Sequence, residues 1–142
     1  MAVLEFKSYS VNELSYKKND LYQGTRQNIN LDPEINIKNT LEQDSIIVTV
    51  NVQVGSQADK QTPFMVTASI SGEFAYHENE DHNQVGVDTL IKKNAVAILY
   101  PYVRSLVSNI TNASNQFPAL ILPTINVTQV LEEKGKAHEA AD

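Results

Sequence analysis

The sequence predicts an α+β domain: a four-stranded antiparallel sheet followed by a long kinked helix, a Phe-Pro loop and a short C-terminal helix. In the first half of the 142-residue chain, apolar and polar residues alternate as they do in half-buried strands. In the second half, apolar residues recur at helical spacing. Strands that precede helices, instead of alternating with them, are typical of the α+β class. A chain of 15.8 kDa suffices for one core, so we expect a single domain over residues 1–135 and a flexible tail over 136–142.

The two clearest strands lie in the middle of the chain. Valines occupy every second position from 48 to 54, with polar residues between them. A second set of residues with one parity follows: Phe64, Val66, Ala68, Ile70, Phe74 and Tyr76. The polar segment 55–62 separates the two patterns, so it predicts the loop of a β-hairpin.

Two further strands have less regular patterns. Residues 3–16 alternate, but the alternation slips near residues 10–12, which predicts a bulge or bend in a long strand. Ile35 and Ile37 follow the turn-like Asp32-Pro33 and predict a shorter strand. Together with the central pair, these segments predict four antiparallel strands.

The long helix is predicted by apolar residues at helical spacing over 91–110, on both sides of Pro101. Pro101 cannot donate to the carbonyl of Ala97, so either the helix is kinked in this turn or two helices meet there. Before Pro101 more than one helix face is apolar, and one small sheet cannot cover them all, so we expect burial against another subunit. A short final helix is predicted to begin near Asn126 and to end at Gly135.

The Phe-Pro loop lies between the two predicted helices. Polar residues at 111–116 lead into Phe117-Pro118 and then into Leu120, Ile121 and Leu122. Such a loop either folds back over the core or forms one wall of an apolar groove. An apolar groove suits unfolded, sequence-diverse polypeptide, because hydrophobic contacts are non-directional and a neighbouring sheet edge can add main-chain hydrogen bonds.

Composition argues against several other functions. The net charge is −6, with no concentration of Lys and Arg, so nucleic acid is not an expected partner. No apolar run is long enough for a membrane helix and the N-terminus is unlike a signal peptide, so we expect a cytoplasmic protein without membrane insertion. The chain has no cysteine and no recognisable catalytic or phosphate-binding motif, so we expect no enzymatic activity and no cofactor.

One segment has the composition of a metal site. Residues 77–82, HENEDH, contain two imidazoles and three carboxylates, which are ligands for divalent ions. Their spacing matches no established metal motif, and such residues between a strand and a helix are typical of a solvated loop. We therefore predict no metal site, and a metal-dependent enzyme at His77 and His82 stays as an alternative hypothesis.

Two segments resemble a known family. Residues 98–104, ILYPYVR, are similar to the I-L-F-P-Y-A-R segment of the SecB family of protein-export chaperones, and Phe117-Pro118-Ala119-Leu120 resembles the family's F-P-x-L loop. Weaker likenesses occur in the strands at residues 10–16, 33–37 and 71–74. The likeness extends in order over residues 3–133.

The resemblance implies a function and an assembly. Members of the family are ATP-independent holdases and homotetramers, built as dimers of dimers, in which a groove beneath the Phe-Pro loop receives unfolded clients. The client-binding residues that the resemblance implies here are Tyr16, Ile35, Phe64, Phe74, Phe117, Leu120 and Leu122. It also implies an oligomer interface on the long helix, at Ile98, Leu99, Tyr102 and Leu106.

The resemblance is incomplete on the surface that contacts the export motor SecA in the family. Glu13 resembles an acidic SecA contact, but Lys17 and Thr67 stand where the family has other acidic residues. Reversing a charge weakens the recognition of a basic partner. A second hypothesis is therefore a SecB-like chaperone dedicated to one partner, such as an antitoxin, without delivery to SecA.

Overall fold

The computed structural model describes residues 4–23, 31–42, 45–77 and 94–123. These described residues form four strands followed by one helix: β1 (Leu4–Lys18), β2 (Glu34–Glu42), β3 (Ser45–Gly55), β4 (Phe64–Tyr76) and α1 (Val96–Ser114). The predicted α+β class and the four-stranded antiparallel sheet are confirmed. The predicted final helix near Asn126 and the tail lie outside the described residues, as do residues 78–82 of the candidate metal segment.

The strands are ordered β1-β4-β3-β2 across the sheet, and neighbouring strands are antiparallel. β3 and β4 form the predicted hairpin. β1 pairs with β4 along its whole length, from Leu4 opposite Tyr76 to Lys18 opposite Phe64. Within the described residues, β1 and β2 are therefore the edges of the sheet.

β1 contains two bulges that keep its apolar side chains on one face. Its register against β4 shifts between Val11 and Glu13, which confirms the irregularity predicted near residues 10–12, and it also shifts between Phe6 and Ser8. Each extra residue reverses the alternation of side chains. As a result, one face of β1 carries all its large apolar side chains: Leu4, Phe6, Tyr9, Val11, Leu14 and Tyr16 stand opposite even-numbered residues of β4.

The core lies between that face of the sheet and α1. Its strand side chains come from alternate positions of the central strands: Ile46, Val48, Val50, Val52 and Val54 on β3, and Phe64, Val66, Ala68, Ile70 and Phe74 on β4. This confirms the two-residue period predicted for both strands. The opposite face is polar, and there the hydroxyl of Ser71 lies 2.8 Å from both Nδ2 of Asn12 and Oγ1 of Thr49.

α1 packs on the sheet through one buried face. That face consists of Val96, Leu99, Tyr100, Val103, Val107 and Thr111. The helix continues through Pro101 without a break, so the alternative of two helices meeting there is wrong. Pro101 has no N–H to donate to the carbonyl of Ala97. Because both residues are exposed, water can donate to this carbonyl instead. Within the described segments, no helix combines the length and the apolar character needed to cross a membrane.

Candidate functional site

The Phe-Pro loop, residues 115–123 in the structure, folds back against α1 and the core. Asn115 ends the helix in a left-handed conformation with φ of 57°, which asparagine adopts more readily than most residues. The buried Thr111 hydroxyl accepts a hydrogen bond from the Leu120 amide at 2.8 Å and donates to the Val107 carbonyl at 2.8 Å. Leu122 is buried in the core. Of the two arrangements predicted for this loop, the structure therefore has the one folded over the core.

Two more helix side chains hold the far end of the loop. The hydroxyl of Tyr100 donates to the carbonyl of Pro123 at 2.7 Å, and Nε of Arg104 donates to the carbonyl of Leu122 at 3.0 Å. Burial raises the pKa of the Tyr100 hydroxyl, and the charge of Arg104 opposes this only in part. Tyr100 thus remains protonated and able to donate.

Four rings beside the loop form an aromatic cluster: Tyr16 of β1, Tyr22, Phe64 of β4 and Phe117 of the loop. Ring centroids are 5.4 Å apart for Tyr16 and Phe64, and 5.8 Å apart for Phe64 and Phe117. Phe117 meets Tyr22 edge to face at 6.2 Å. These tilted and edge-on contacts are the favourable geometries of aromatic pairs. Within the cluster, Phe117 is the member that the loop contributes.

A cleft of about 390 Å³ opens beside Phe117. It is lined by Lys18, Asn19, Asp20, Tyr22, Pro63, Gln116 and Phe117. The side chain of Asn19 shapes the cleft, because its amide donates to the carbonyls of Asp59 and Thr62, both at 2.7 Å. The cleft has an aromatic end and a polar, charged rim, so it differs from a wholly apolar groove.

The residues expected to bind clients all belong to the core or pack against it, but they differ in accessibility. Ile35, Phe64, Phe74 and Leu122 are 6%, 2%, 0% and 1% exposed, whereas Tyr16, Phe117 and Leu120 are half-buried. A client can reach the first group only if a covering segment moves. Phe74 is also distant from the aromatic cluster, since it lies ten positions after Phe64 in β4, roughly 33 Å along a strand.

The residues expected at an oligomer interface also divide into two groups. Leu99 is fully buried inside the protomer, where it packs against β4, so it has no surface left for another subunit. Tyr102 is exposed and stacks on Tyr9 of β1 with ring centroids 4.3 Å apart. Ile98 and Leu106 are half-buried. These three outer residues keep surface that a second subunit could cover.

Glu13, Lys17 and Thr67 share the polar face of the sheet, away from α1. Ser15 lies opposite Thr67 and donates to the Glu13 carboxylate at 3.3 Å. Lys17 follows two residues later on the same strand and therefore has the same orientation. A carboxylate and an ammonium group thus occupy one patch of this face.

Tyr100, Arg104 and Thr111 were not assigned a role from the sequence, although each carried a signal. Tyr100 and Arg104 lie within the ILYPYVR segment and are four residues apart, which puts them on one side of a helix. Thr111 follows the core residue Val107 by four, so it is a polar residue at a core-facing position. Such a residue needs a buried hydrogen-bond partner.

His77 is the one residue of the candidate metal segment that the structure describes. Its Nε2 lies 3.1 Å from Glu5, and Lys7 lies 3.2 Å from the other oxygen of the same carboxylate. The hydrogen bond to His77, followed by the hydrogen bond and charge of Lys7, lowers the pKa of Glu5. Across the described residues, no group of three or more His, Asp or Glu side chains is arranged to hold a metal ion.

The fold and the site define a class of small α+β proteins in which a long helix anchors an apolar loop beside an aromatic cluster. The family model described as preprotein translocase subunit SecB matches residues 3–138. The chain therefore belongs to the SecB family of chaperones, and the resemblance found in the sequence is confirmed.

Two relatives are similar to the chain in sequence, and one of them carries the SecB name. The chain is 32% identical over 132 residues to an uncharacterized protein of Methanocaldococcus jannaschii, an alignment that covers 90% of this chain and 82% of that protein. It is 28% identical over 87 residues to the protein-export protein SecB of Anaplasma phagocytophilum, which covers 61% of this chain and 54% of that protein.

Two solved structures have the same fold. A SecB-like chaperone of Mycobacterium tuberculosis, in complex with a ChAD peptide from the HigA1 antitoxin, superposes with a TM-score of 0.69 at 15% identity, over 87% of this chain and 91% of that chain. A protein of unknown function from Streptococcus agalactiae superposes with a TM-score of 0.54 at 15% identity, over 85% of this chain and 97% of that chain. At such identities, the likeness concerns the fold alone.

Proposed function

We propose that the protein is an ATP-independent holdase that binds unfolded polypeptide in the cytoplasm, through the aromatic cluster and the Phe-Pro loop. The observation that carries the proposal is Ile121, which is 71% exposed while its neighbours Leu120 and Leu122 turn toward the core. Together with the partly exposed Phe117 and Leu120, it gives the anchored loop an apolar surface, and clustered apolar surface is typical of an interaction site. Membership of the SecB family supports the same class of function.

In this proposal, a client binds by displacing Phe117. Phe117 lies between the end of α1 at Asn115 and the Leu120 amide that Thr111 holds, and in the proposal its ring is displaced while Leu120 stays in place. An apolar client side chain that takes its position keeps Phe64 out of water. Because such contacts are non-directional, clients of different sequence can make them.

The test is suppression of aggregation without ATP. A chemically denatured reporter enzyme is diluted into buffer with the protein, and light scattering is followed. We expect suppression at stoichiometric amounts, weakened at least threefold by Ile121→Asp. The matched control is Leu41→Asp, because Leu41 is also strongly exposed, at 61%, but lies on β2 at the far edge of the sheet. Absence of suppression by the wild type, or equal loss in both variants, contradicts the proposal.

The proposed assembly is a homotetramer built as a dimer of dimers. Ile98, Tyr102 and Leu106 support it, because they follow one another at four-residue spacing along α1 and none of them is fully buried. Light scattering is expected to give four times 15.8 kDa, about 63 kDa. We expect Tyr102→Asp to lower this mass, since a charge at a buried contact is costly. A mass of 15.8 kDa for the wild type contradicts the assembly.

A second candidate is a dedicated chaperone for one partner, without delivery to SecA. Lys17 favours it, because its ammonium group shares a patch with Glu13, where the export function calls for acidic residues. The structural relative from M. tuberculosis is bound to an antitoxin peptide, which also suits this candidate. Binding of purified SecA distinguishes the two. The export role predicts that the wild type binds SecA and that Glu13→Ala weakens this binding. The dedicated role predicts that SecA binds only the variant in which Lys17→Glu is combined with Thr67→Glu.

A further inference from the structure

The hydroxyl of Tyr16 is buried and has no hydrogen-bond partner. Among the described residues, every other buried side-chain nitrogen or oxygen atom has a partner. Buried tyrosine hydroxyls usually find one, because desolvating an unpaired polar group is costly. Phenylalanine would fill the same space without this cost, so packing of the protomer alone gives no reason for a tyrosine.

The ring of Tyr16 has apolar neighbours that adjoin the Phe-Pro loop. Tyr16 stands opposite Val66, and its ring packs on Phe64 with centroids 5.4 Å apart. Phe64 is in turn covered by Phe117 at 5.8 Å. Tyr16 as a whole is only half-buried, so part of this residue already faces solvent. The unpaired hydroxyl therefore belongs to a ring that lies next to the Phe-Pro loop.

We infer that the Tyr16 hydroxyl donates a hydrogen bond to a main-chain carbonyl of the bound client. This inference rests on the proposed holdase function and adds a polar contact to it. A carbonyl is the acceptor that every polypeptide carries whatever its side chains, so the contact suits clients of diverse sequence. Within the described residues, Tyr16 lies on an edge strand of the sheet, where an extended polypeptide can add main-chain hydrogen bonds.

Two effects of this hydroxyl favour the bound state. In the structure, which holds no client, the hydroxyl is buried and unpaired, and this disfavours the client-free arrangement. In the complex it is paired within apolar surroundings, where a hydrogen bond is stronger than in water. Both effects favour the client-bound arrangement over the client-free one, because the hydroxyl is paired only when a client is bound.

The experiment compares Tyr16→Phe with the wild type in binding reduced, S-alkylated ribonuclease A, which stays unfolded. We expect the Kd to rise about five- to twentyfold, while the urea midpoint of the variant equals or exceeds that of the wild type. Tyr9→Phe is the matched control: it removes a hydroxyl from the same strand at an exposed position, and its Kd is expected to stay within twofold.

Each alternative result has a defined meaning. A Kd for Tyr16→Phe within twofold of the wild-type value overturns the inference and leaves the holdase function standing. A lower urea midpoint means that the hydroxyl serves the fold, which also overturns the inference. If the wild type does not bind the unfolded probe at all, the proposed function fails and this inference fails with it.

Discussion

The Thr111 hydroxyl lies 2.8 Å from the amide nitrogen of Leu120, so one buried side chain of α1 closes the first part of the Phe-Pro loop. The same hydroxyl donates to the carbonyl of Val107 at 2.8 Å, which fixes its orientation. Phe117 lies inside the segment that this contact closes. Thr111 therefore sets how far Phe117 can move while the rest of the loop stays on the helix.

We expect Thr111→Val to release this part of the loop. Valine has nearly the same shape but no hydroxyl, so the Leu120 amide loses its acceptor. The free energy of unfolding should fall by about 1–3 kcal/mol, measured by urea denaturation. Hydrogen exchange at the Leu120 amide should become faster than in the wild type.

The control for this prediction is Thr111→Ser, which keeps the hydroxyl and loses one methyl group. Its stability should fall by about 1 kcal/mol because of the lost apolar burial, while the Leu120 amide stays protected. Equal protection of Leu120 in the serine and valine variants contradicts the assigned hydrogen bond.

The hairpin loop between β3 and β4 depends on Asn19 in a comparable way. Asn19 donates to the carbonyls of Asp59 and Thr62 at 2.7 Å and accepts from the amide of Leu21 at 3.0 Å. We expect Asn19→Ala to lower the free energy of unfolding by about 1–3 kcal/mol. Asn19→Asp should be at least as harmful, because its carboxylate faces two carbonyl oxygens. Denaturant titration of both variants tests this, and an aspartate variant as stable as the wild type contradicts it.

The strands could be predicted from the sequence because a two-residue period is a local signal. The valines of β3 and the even-numbered apolar residues of β4 are buried as their alternation indicated. The strand order could not be predicted in the same way, since β1 pairs with β4 across more than forty residues and nothing local specifies that pairing. The bulge between Phe6 and Ser8 was hidden for a similar reason: it becomes evident once β1 is aligned with its partner.

The candidate site was predicted less completely than the fold. Phe64 and Phe74 were assigned to client binding by resemblance, although they share the parity of Val66 and Ile70, which already indicated burial. For Leu122 the burial depends on contacts from α1 that are distant in sequence, such as the hydrogen bond from Arg104 to its carbonyl. Only the structure shows which loop residues turn inward and leave Ile121 in water.

The pKa of Glu5 gives a prediction about pH. A hydrogen bond to His77 is the largest cause that lowers this pKa, ahead of Lys7. A carboxylate with a lowered folded-state pKa contributes stability above its unfolded-state pKa, and this contribution is lost as the pH falls through the folded-state value. We expect His77→Ala to raise the pKa of Glu5 toward its ordinary value, measured by carbon NMR titration of the carboxylate. Lys7→Gln should also raise it, because the charge of Lys7 is lost, and an unchanged pKa in the histidine variant contradicts the pairing.

α1 lies close to the sheet where Leu99 faces Gly72. A Cβ at position 72 would lie 2.6 Å from Cδ2 of Leu99 and 3.0 Å from Cε2 of Phe74, so Gly72→Ala forces buried side chains apart. We expect the free energy of unfolding to fall by about 1–3 kcal/mol, as is usual for overpacked cores. In a Leu99→Ala background the same change should cost less, because the shortened side chain leaves room for the new methyl group. Urea denaturation of the four proteins in this cycle should give a coupling of about 0.5–3 kcal/mol, and the same cost of Gly72→Ala in both backgrounds would contradict the contact.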